Sequence, residues 1–197
     1  MIIRELFDSD HLYFIGDPHI GHANIIDYCN RDSHSIEQMD MRFKDDWNHV
    51  VTEKDDIFVV GDFFFKMRNS DIKKYIEDLT YNRMYLVIGN HDERGVLQAK
   101  YLRDYFTEIE DRFEIRVNDD ELSYDFQTII LDHYPMMSWN HMHRGAWHLY
   151  GHVHTTRQHP NPNALEVGYD NDYINGKPIS YTDVKKLITK QNLNYGN

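Results

Sequence analysis

The chain carries a single cysteine, Cys29, among 197 residues. One thiol cannot close an internal disulfide and cannot supply a thiolate metal site, which excludes disulfide-stapled secreted scaffolds and zinc-finger modules together. Long apolar runs are also missing. Nothing approaches the stretch a membrane helix needs, and the N-terminus lacks a basic segment followed by an apolar core and a cleavage site, so a soluble, cytoplasmic protein with no membrane partner is expected. There is no internal repeat, low-complexity segment or Gly/Ser linker. Positive charge is in deficit: 21 Lys and Arg face 33 Asp and Glu, a formal charge of −12 with no basic block to offset it. That balance repels a nucleic-acid backbone and makes duplex DNA a poor partner. A hydrophobic content of 41% in this length suits one domain over residues 1–197. Thirteen histidines are many, and only their placement can decide what they do.

What is present is an alternation of short apolar runs with helical periods. Leu12-Tyr13-Phe14-Ile15 reads as a buried strand ending in Gly16-Asp17. Ile36, Met39, Phe43, Trp47 and Val50 follow helical spacing, with Ser35 and Gln38 as a capping box. A second strand, Ile57-Phe58-Val59-Val60, ends in Gly61-Asp62, and Ile72, Tyr75, Ile76 and Leu79 mark a helix starting near Asn69 or Ser70. A third, Met84 to Ile88, ends in Gly89-Asn90-His91-Asp92 and precedes a helix through Leu97, Tyr101 and Tyr105. This order predicts parallel sheet with polar residues along one edge. The second half is richer in strands: Phe113 to Val117, Thr128 to Leu131 and Ala146 to Tyr150, with a hairpin turn at Asn118-Asp119-Asp120 and a closing helix around Val184, Leu187 and Ile188.

Every candidate ligand follows an apolar strand. Asp17 and His19 lie two apart after the first, with Pro18 between them; Asp62 ends the second; Asn90 and His91 end the third; His133 follows Ile129 to Asp132; His152 and His154 follow Leu149-Tyr150. Each piece alone is ordinary, since an Asp-x-His or His-x-His at a strand end is more often an exposed polar turn. Together, at the carboxyl ends of strands where α/β sites assemble, they could converge in one cleft.

In that order, Asp17-Pro18-His19, Gly61-Asp62, Gly89-Asn90-His91-Asp92, His133 and Gly151-His152-Val153-His154 resemble the signature of the calcineurin-like metallophosphoesterases. Gly21-His22-Ala23-Asn24-Ile25 is similar to a segment of the short single-domain members. The resemblance implies a four-layer α/β/β/α sandwich with mixed sheets and a site at strand C-terminal ends. It implies two divalent ions, with Asp62 bridging, Asp17, His19 and His154 completing the first site, and Asn90, His133 and His152 the second. Manganese is the first choice, with iron, zinc, nickel, cobalt or magnesium open, because imidazole, carboxylate and amide oxygen suit all of them. The activity implied is hydrolysis of phosphate esters, phosphodiesters favoured and nucleotide-like substrates included. Two cations activate hydroxide for in-line attack and neutralise the phosphoryl oxygens. His91 is then the general acid or a phosphate contact, and Asp62 the second essential residue.

One departure narrows the subfamily. The larger phosphoprotein phosphatases extend their Gly-Asp block with Asp-Arg-Gly, whereas Phe63-Phe64-Phe65 stands here. A phosphate-binding arginine must come from elsewhere; Arg31 is the candidate, against the plainer reading of a solvated arginine. His22 could face phosphate, support a ligand or cap the next helix. Tyr134, Trp139, His141 and Arg144 lie between two ligand strands and could shape a pocket, though such aromatics are more often packing. A nuclease acting on single-stranded or terminal nucleic acid shares the metal chemistry, and a non-catalytic binding module is the alternative of another class. The expected partner is a small phosphate ester, with nucleic acid disfavoured.

Overall fold

The computed structural model describes residues 1–92, 97, 99–121 and 126–195. Its ten strands form two five-stranded sheets, with five α-helices among the described residues. The strands are β1 (Ile2–Asp8), β2 (Leu12–Ile15), β3 (Asp56–Val60), β4 (Arg83–Val87), β5 (Glu108–Glu110), β6 (Arg112–Asn118), β7 (Phe126–Asp132), β8 (Trp147–Tyr150), β9 (Ala164–Glu166) and β10 (Ile179–Ser180). The helices are α1 (Ala23–Tyr28), α2 (Ile36–Val50), α3 (Asn69–Glu77), α4 (Lys100–Arg103) and α5 (Tyr181–Tyr195).

The first sheet has the order β1-β6-β7-β8-β9 and the second β10-β2-β3-β4-β5. Both are mixed: only β6 with β7 and β10 with β2 pair antiparallel. Strand β3 is buried at every residue, as a strand covered on both faces must be, which is why it reads as an unbroken apolar run. The sheets meet through aromatic rings. Phe7 and Phe113 of the first sheet pack edge-on against Phe58 of the second with ring centroids 5.3 and 5.4 Å away, and Tyr85 stacks on Phe58 at 4.4 Å. Such rings dominate a core because each removes a large apolar area from water. On the side of α2, Trp47 stacks on Phe63 at 6.0 Å and donates its indole N–H to the Thr80 carbonyl at 2.8 Å. Tyr181 of α5 stacks on Trp147 at 5.5 Å.

Helix α2 begins where the sequence places it. Ser35 Oγ accepts from the Gln38 backbone N–H at 3.2 Å, while the Gln38 side chain turns back to the N–H of His34 at 2.8 Å, one residue before the usual reciprocal partner. Helix α3 starts at Asn69, as the sequence places it, although its cap is Arg68, without a side-chain bond, and Leu79 lies past its end. The helix expected through Leu97, Tyr101 and Tyr105 is a single turn, α4, with Tyr105 beyond it. Asp119 of the expected hairpin is buried, because Tyr181 and Lys185 of α5 bond to its carboxylate at 2.6 and 2.7 Å.

Register brings the strand ends together. Ile15 pairs with Val59 and Val60 with Val87, and in the other sheet Leu131 pairs with Leu149. The two sheets are stitched at this edge. Gly16 donates to the Val167 carbonyl at 2.7 Å, and the Gly16 carbonyl accepts from Tyr169 at 2.8 Å. No helix among the described residues is long and apolar enough to cross a membrane.

Candidate metal centre

Asp62 Oδ2 is the geometric hub of the residues gathered at that seam. It lies 3.6 Å from His19 Nε2, 3.5 Å from His133 Nε2 and 3.9 Å from His91 Nε2. Asp17 Oδ1 lies 3.9 Å from His19 Nε2 and 4.0 Å from both His133 Nδ1 and His154 Nε2. Two groups able to hold metal therefore share Asp17: Asp17, His19 and His154, and Asp17, Asp62 and His133, with ligand atoms inside 4.8 Å of one another. Asn90 joins the second group, its Oδ1 standing 3.1 Å from His133 Nε2. His133 Nδ1 faces the Val60 carbonyl at 3.1 Å; that oxygen only accepts, so Nδ1 carries a proton, and Nε2 is the nitrogen that faces Asn90 and Asp62. His152 is brought alongside, its ring 5.1 Å from that of His133, and its backbone N–H donates to Asp17 Oδ2 at 2.8 Å.

The residues fit a cation. Asp17 Oδ1 and both ring nitrogens of His19 are buried without a hydrogen-bond partner among the described residues. Buried polar atoms are nearly always paired, so these converging orphans call for an electrophile. Charge points the same way. Burial pushes the Asp17 carboxyl up to about 6, with nearby Asp62 adding and His133 and His154 opposing. Burial lowers His19 to about 3, leaving a neutral imidazole. For His133 burial also acts downward, but the hydrogen bond to Asp62 and the charges of Asp17 and Asp62 raise it to about 9. Burial would raise Asp62, yet His133 and the His91 N–H hold it near 2. The carboxylates draw positive charge into the pocket, a demand that a divalent ion meets directly.

The backbone is bent to achieve this. Asp17 (φ 53°), His19 (54°), Asp62 (54°), His152 (72°) and His154 (46°) all occupy the left-handed region, which costs on the order of 1–3 kcal/mol per non-glycine residue and clusters at functional sites. Buried carboxylates hold the bends. Asp92 accepts from the backbone N–H groups of Asp62, Phe63 and Gly89 at 2.8, 3.0 and 2.8 Å, so it braces two loops rather than the His91 ring. Burial lifts its carboxyl to about 7. Glu166 accepts from Thr155 N–H at 3.1 Å, just past His154. Close approach dictates glycine as well: a Cβ on Gly89 would stand 2.2 Å from Asp62 Oδ1.

An open cleft of about 870 Å³ leads to His19, His91, His152 and His154. His91 is half-exposed, donates its backbone N–H to Asp62 Oδ1 at 2.8 Å, and has its ring 5.3 Å from His19. His22 stacks on Phe65 at 3.7 Å in the cleft wall; it occupies the N-cap position of α1 but makes no side-chain cap bond. Tyr134 packs on His152 at 4.6 Å, whereas Trp139 is buried and donates to the Ala146 carbonyl at 2.9 Å; Trp139, His141 and Arg144 do not line the cleft. Cys29 is half-buried on the cleft with Sγ 3.5 Å from His154 Nδ1.

Arg31 does not face the cleft, contrary to the expectation of a phosphate contact. It is 7% exposed and its N–H groups donate to Asp170, Pro18 and Asp17. Sequence reasoning also missed Asp92 as a brace, Glu166 and Asp170. The last two carried a partial signal: Ala164 to Val167 is a short apolar-rich run ending in Gly168, with Asp170 two residues on, one position further than the Gly-Asp endings at Asp17 and Asp62.

No protein-family model matches the chain. An uncharacterized protein of Methanocaldococcus jannaschii is 28% identical over 183 residues, 91% of this chain and 92% of the relative. The crystal structure of a protein of unknown function from Aquifex aeolicus superposes with a TM-score of 0.65 at 23% identity, covering 89% of this chain and 98% of its own, and so shares the fold. A conserved uncharacterized protein and predicted phosphoesterase of Streptococcus pneumoniae TIGR4 superposes with a TM-score of 0.35 at 17% identity over 80% of this chain and 70% of its own, too remote to carry an argument.

Proposed function

We propose that this protein is a metal-dependent phosphoesterase of the calcineurin-like type that its motifs resemble. The observation that carries the reading is the convergence of the orphaned Asp17 Oδ1 and His19 ring on Asp62 Oδ2 at the bottom of an open cleft. In this reading Asp62 would be shared between two divalent ions, Asp17, His19 and His154 would hold one of them, and Asn90, His133 and His152 the other; manganese is the first metal to try. Bound there, the ions would lower the pKa of a water and neutralise phosphoryl oxygens. The sheets and flanking helices are compatible with the α/β/β/α sandwich of that type.

The chain's own groups supply the rest. His91, half-exposed at the mouth and tied by its N–H to Asp62, is placed to give a proton to the leaving oxygen. Lys66 and Arg157 line the same cleft, and neither is in an ion pair with a carboxylate among the described residues. In a chain of formal charge −12, unpaired cations beside the site favour an anionic substrate over a neutral one. The open cleft suits a small phosphate ester, diesters and nucleotides included, acted on in the cytoplasm. Stripping the protein and restoring Mn²⁺, Zn²⁺, Fe²⁺, Ni²⁺, Co²⁺ and Mg²⁺ in turn, with a monoester and a diester of one leaving group, tests this. Metal-dependent turnover is expected; turnover unaffected by chelation, or none with any ion, overturns it.

A further inference from the structure

A buried line of side chains runs behind His154. Its Nδ1 lies 2.7 Å from Asp170 Oδ2, and Arg31 grips both oxygens of that carboxylate, Nε to Oδ1 at 2.7 Å and Nη2 to Oδ2 at 3.0 Å. The same guanidinium donates to the backbone carbonyls of Pro18 and Asp17, each at 2.8 Å, and rests 3.9 Å over the ring of Tyr169.

We infer that Asp170, clamped by Arg31, is the positioning residue that makes His154 a metal ligand. The inference rests on the metallohydrolase reading. An imidazole ligates through one nitrogen only if the other keeps its proton, and an acceptor on Nδ1 leaves the Nε2 lone pair to point at Asp17 and His19. Orientation matters here because His154 sits in the left-handed region, a bend that other groups must hold. Arg31 adds a second constraint. Its planar fork joins the Asp17-to-His19 loop to the loop carrying Asp170, so two ligands of one ion are registered against each other by a single side chain. Lysine offers no such fork. The Cys29 thiol, 3.5 Å from the same nitrogen, is a weaker competitor for it.

The test separates this role from that of a substrate contact. Calorimetric titration of the stripped protein with Mn²⁺ and with Zn²⁺ is expected to show two equivalents in the wild type. Asp170→Asn, close in shape but uncharged, should weaken one equivalent by about 10- to 100-fold and leave the other unchanged. Arg31→Lys should weaken the same equivalent, and at saturating metal its KM should match the wild type. Where a single variant does not fold, Arg31→Gln with Asp170→Asn removes the buried charge pair together and should show the same loss. Wild-type affinity for both equivalents in Asp170→Asn overturns the inference, as does an Arg31→Lys variant that keeps its metals and raises KM. A wild type that binds no divalent ion overturns the hydrolase reading itself.

Discussion

Asp62 is placed so that no other residue can replace its two roles: one oxygen receives the His91 backbone N–H at 2.8 Å and the other faces three imidazoles. Asp62→Asn keeps the shape but removes the charge that would hold the proposed cations, so on the proposed reading turnover should vanish and metal content should fall. His91→Ala leaves every proposed ligand in place. Its turnover should drop by about 10²- to 10⁴-fold, the range of a lost general acid, with metal content unchanged by elemental analysis. Full activity in either variant removes that residue from the chemistry. The candidate ligand residues could be picked out in the sequence because each follows an apolar strand with a fixed chemical type. Arg31 was not: its role depends on Asp170, 139 positions away, which no local pattern connects to it.

Elements are tied to one another by a few polar contacts whose pH dependence can be worked out. His11, in the turn before β2, lies with Nδ1 2.7 Å from Asp55 Oδ1, just before β3. The hydrogen bond to Asp55 raises His11 above its ordinary 6.5. Burial alone would raise Asp55, but bonds from His11 and Thr52 hold it below its ordinary 3.8. The raised histidine contributes stability in full below 6.5 and loses it as pH rises through its folded value; the depressed aspartate contributes above 3.8 and loses it as pH falls. The contact is therefore strongest between those two pH values. Denaturant melts of His11→Ala should differ most from wild type between those two pH values, and the difference should shrink as pH rises through the folded value of His11; a difference that stays constant across that rise would show that the pair is not linked to folding. At this scale the sequence located α2, α5 and the central strands well. It missed the seven-residue β1, and also β5, β9 and β10, which are only three, three and two residues long and carry no period of their own.

The whole molecule is two sheets whose faces share one aromatic core and whose edges share one site. Phe58 touches Phe7, Phe14, Tyr85 and Phe113, rings from both sheets, and is fully buried. Phe58→Ala should cost about 3–5 kcal/mol in chemical denaturation, the usual loss for a buried ring. Since the proposed ligands come from strand ends on either side of that core, any metal affinity should weaken with it; a variant that loses stability while keeping wild-type affinity would mean the seam at Gly16 and Val167 alone fixes the site.

By itself the sequence determined the chemical types of the candidate ligands, their order and their attachment to apolar strands, because burial of a strand and the polarity of its end are written locally. Only the tertiary structure decided which sheet each strand joins and how the bent ligand loops are held. β1 pairs with β6, not with its neighbour β2, and β10 returns antiparallel to lie beside β2. Asp92, Glu166 and Asp170 look in sequence like any other acidic residues. What sets them apart is burial beside backbone N–H groups, an imidazole and a guanidinium, and those neighbours exist only once distant segments have packed.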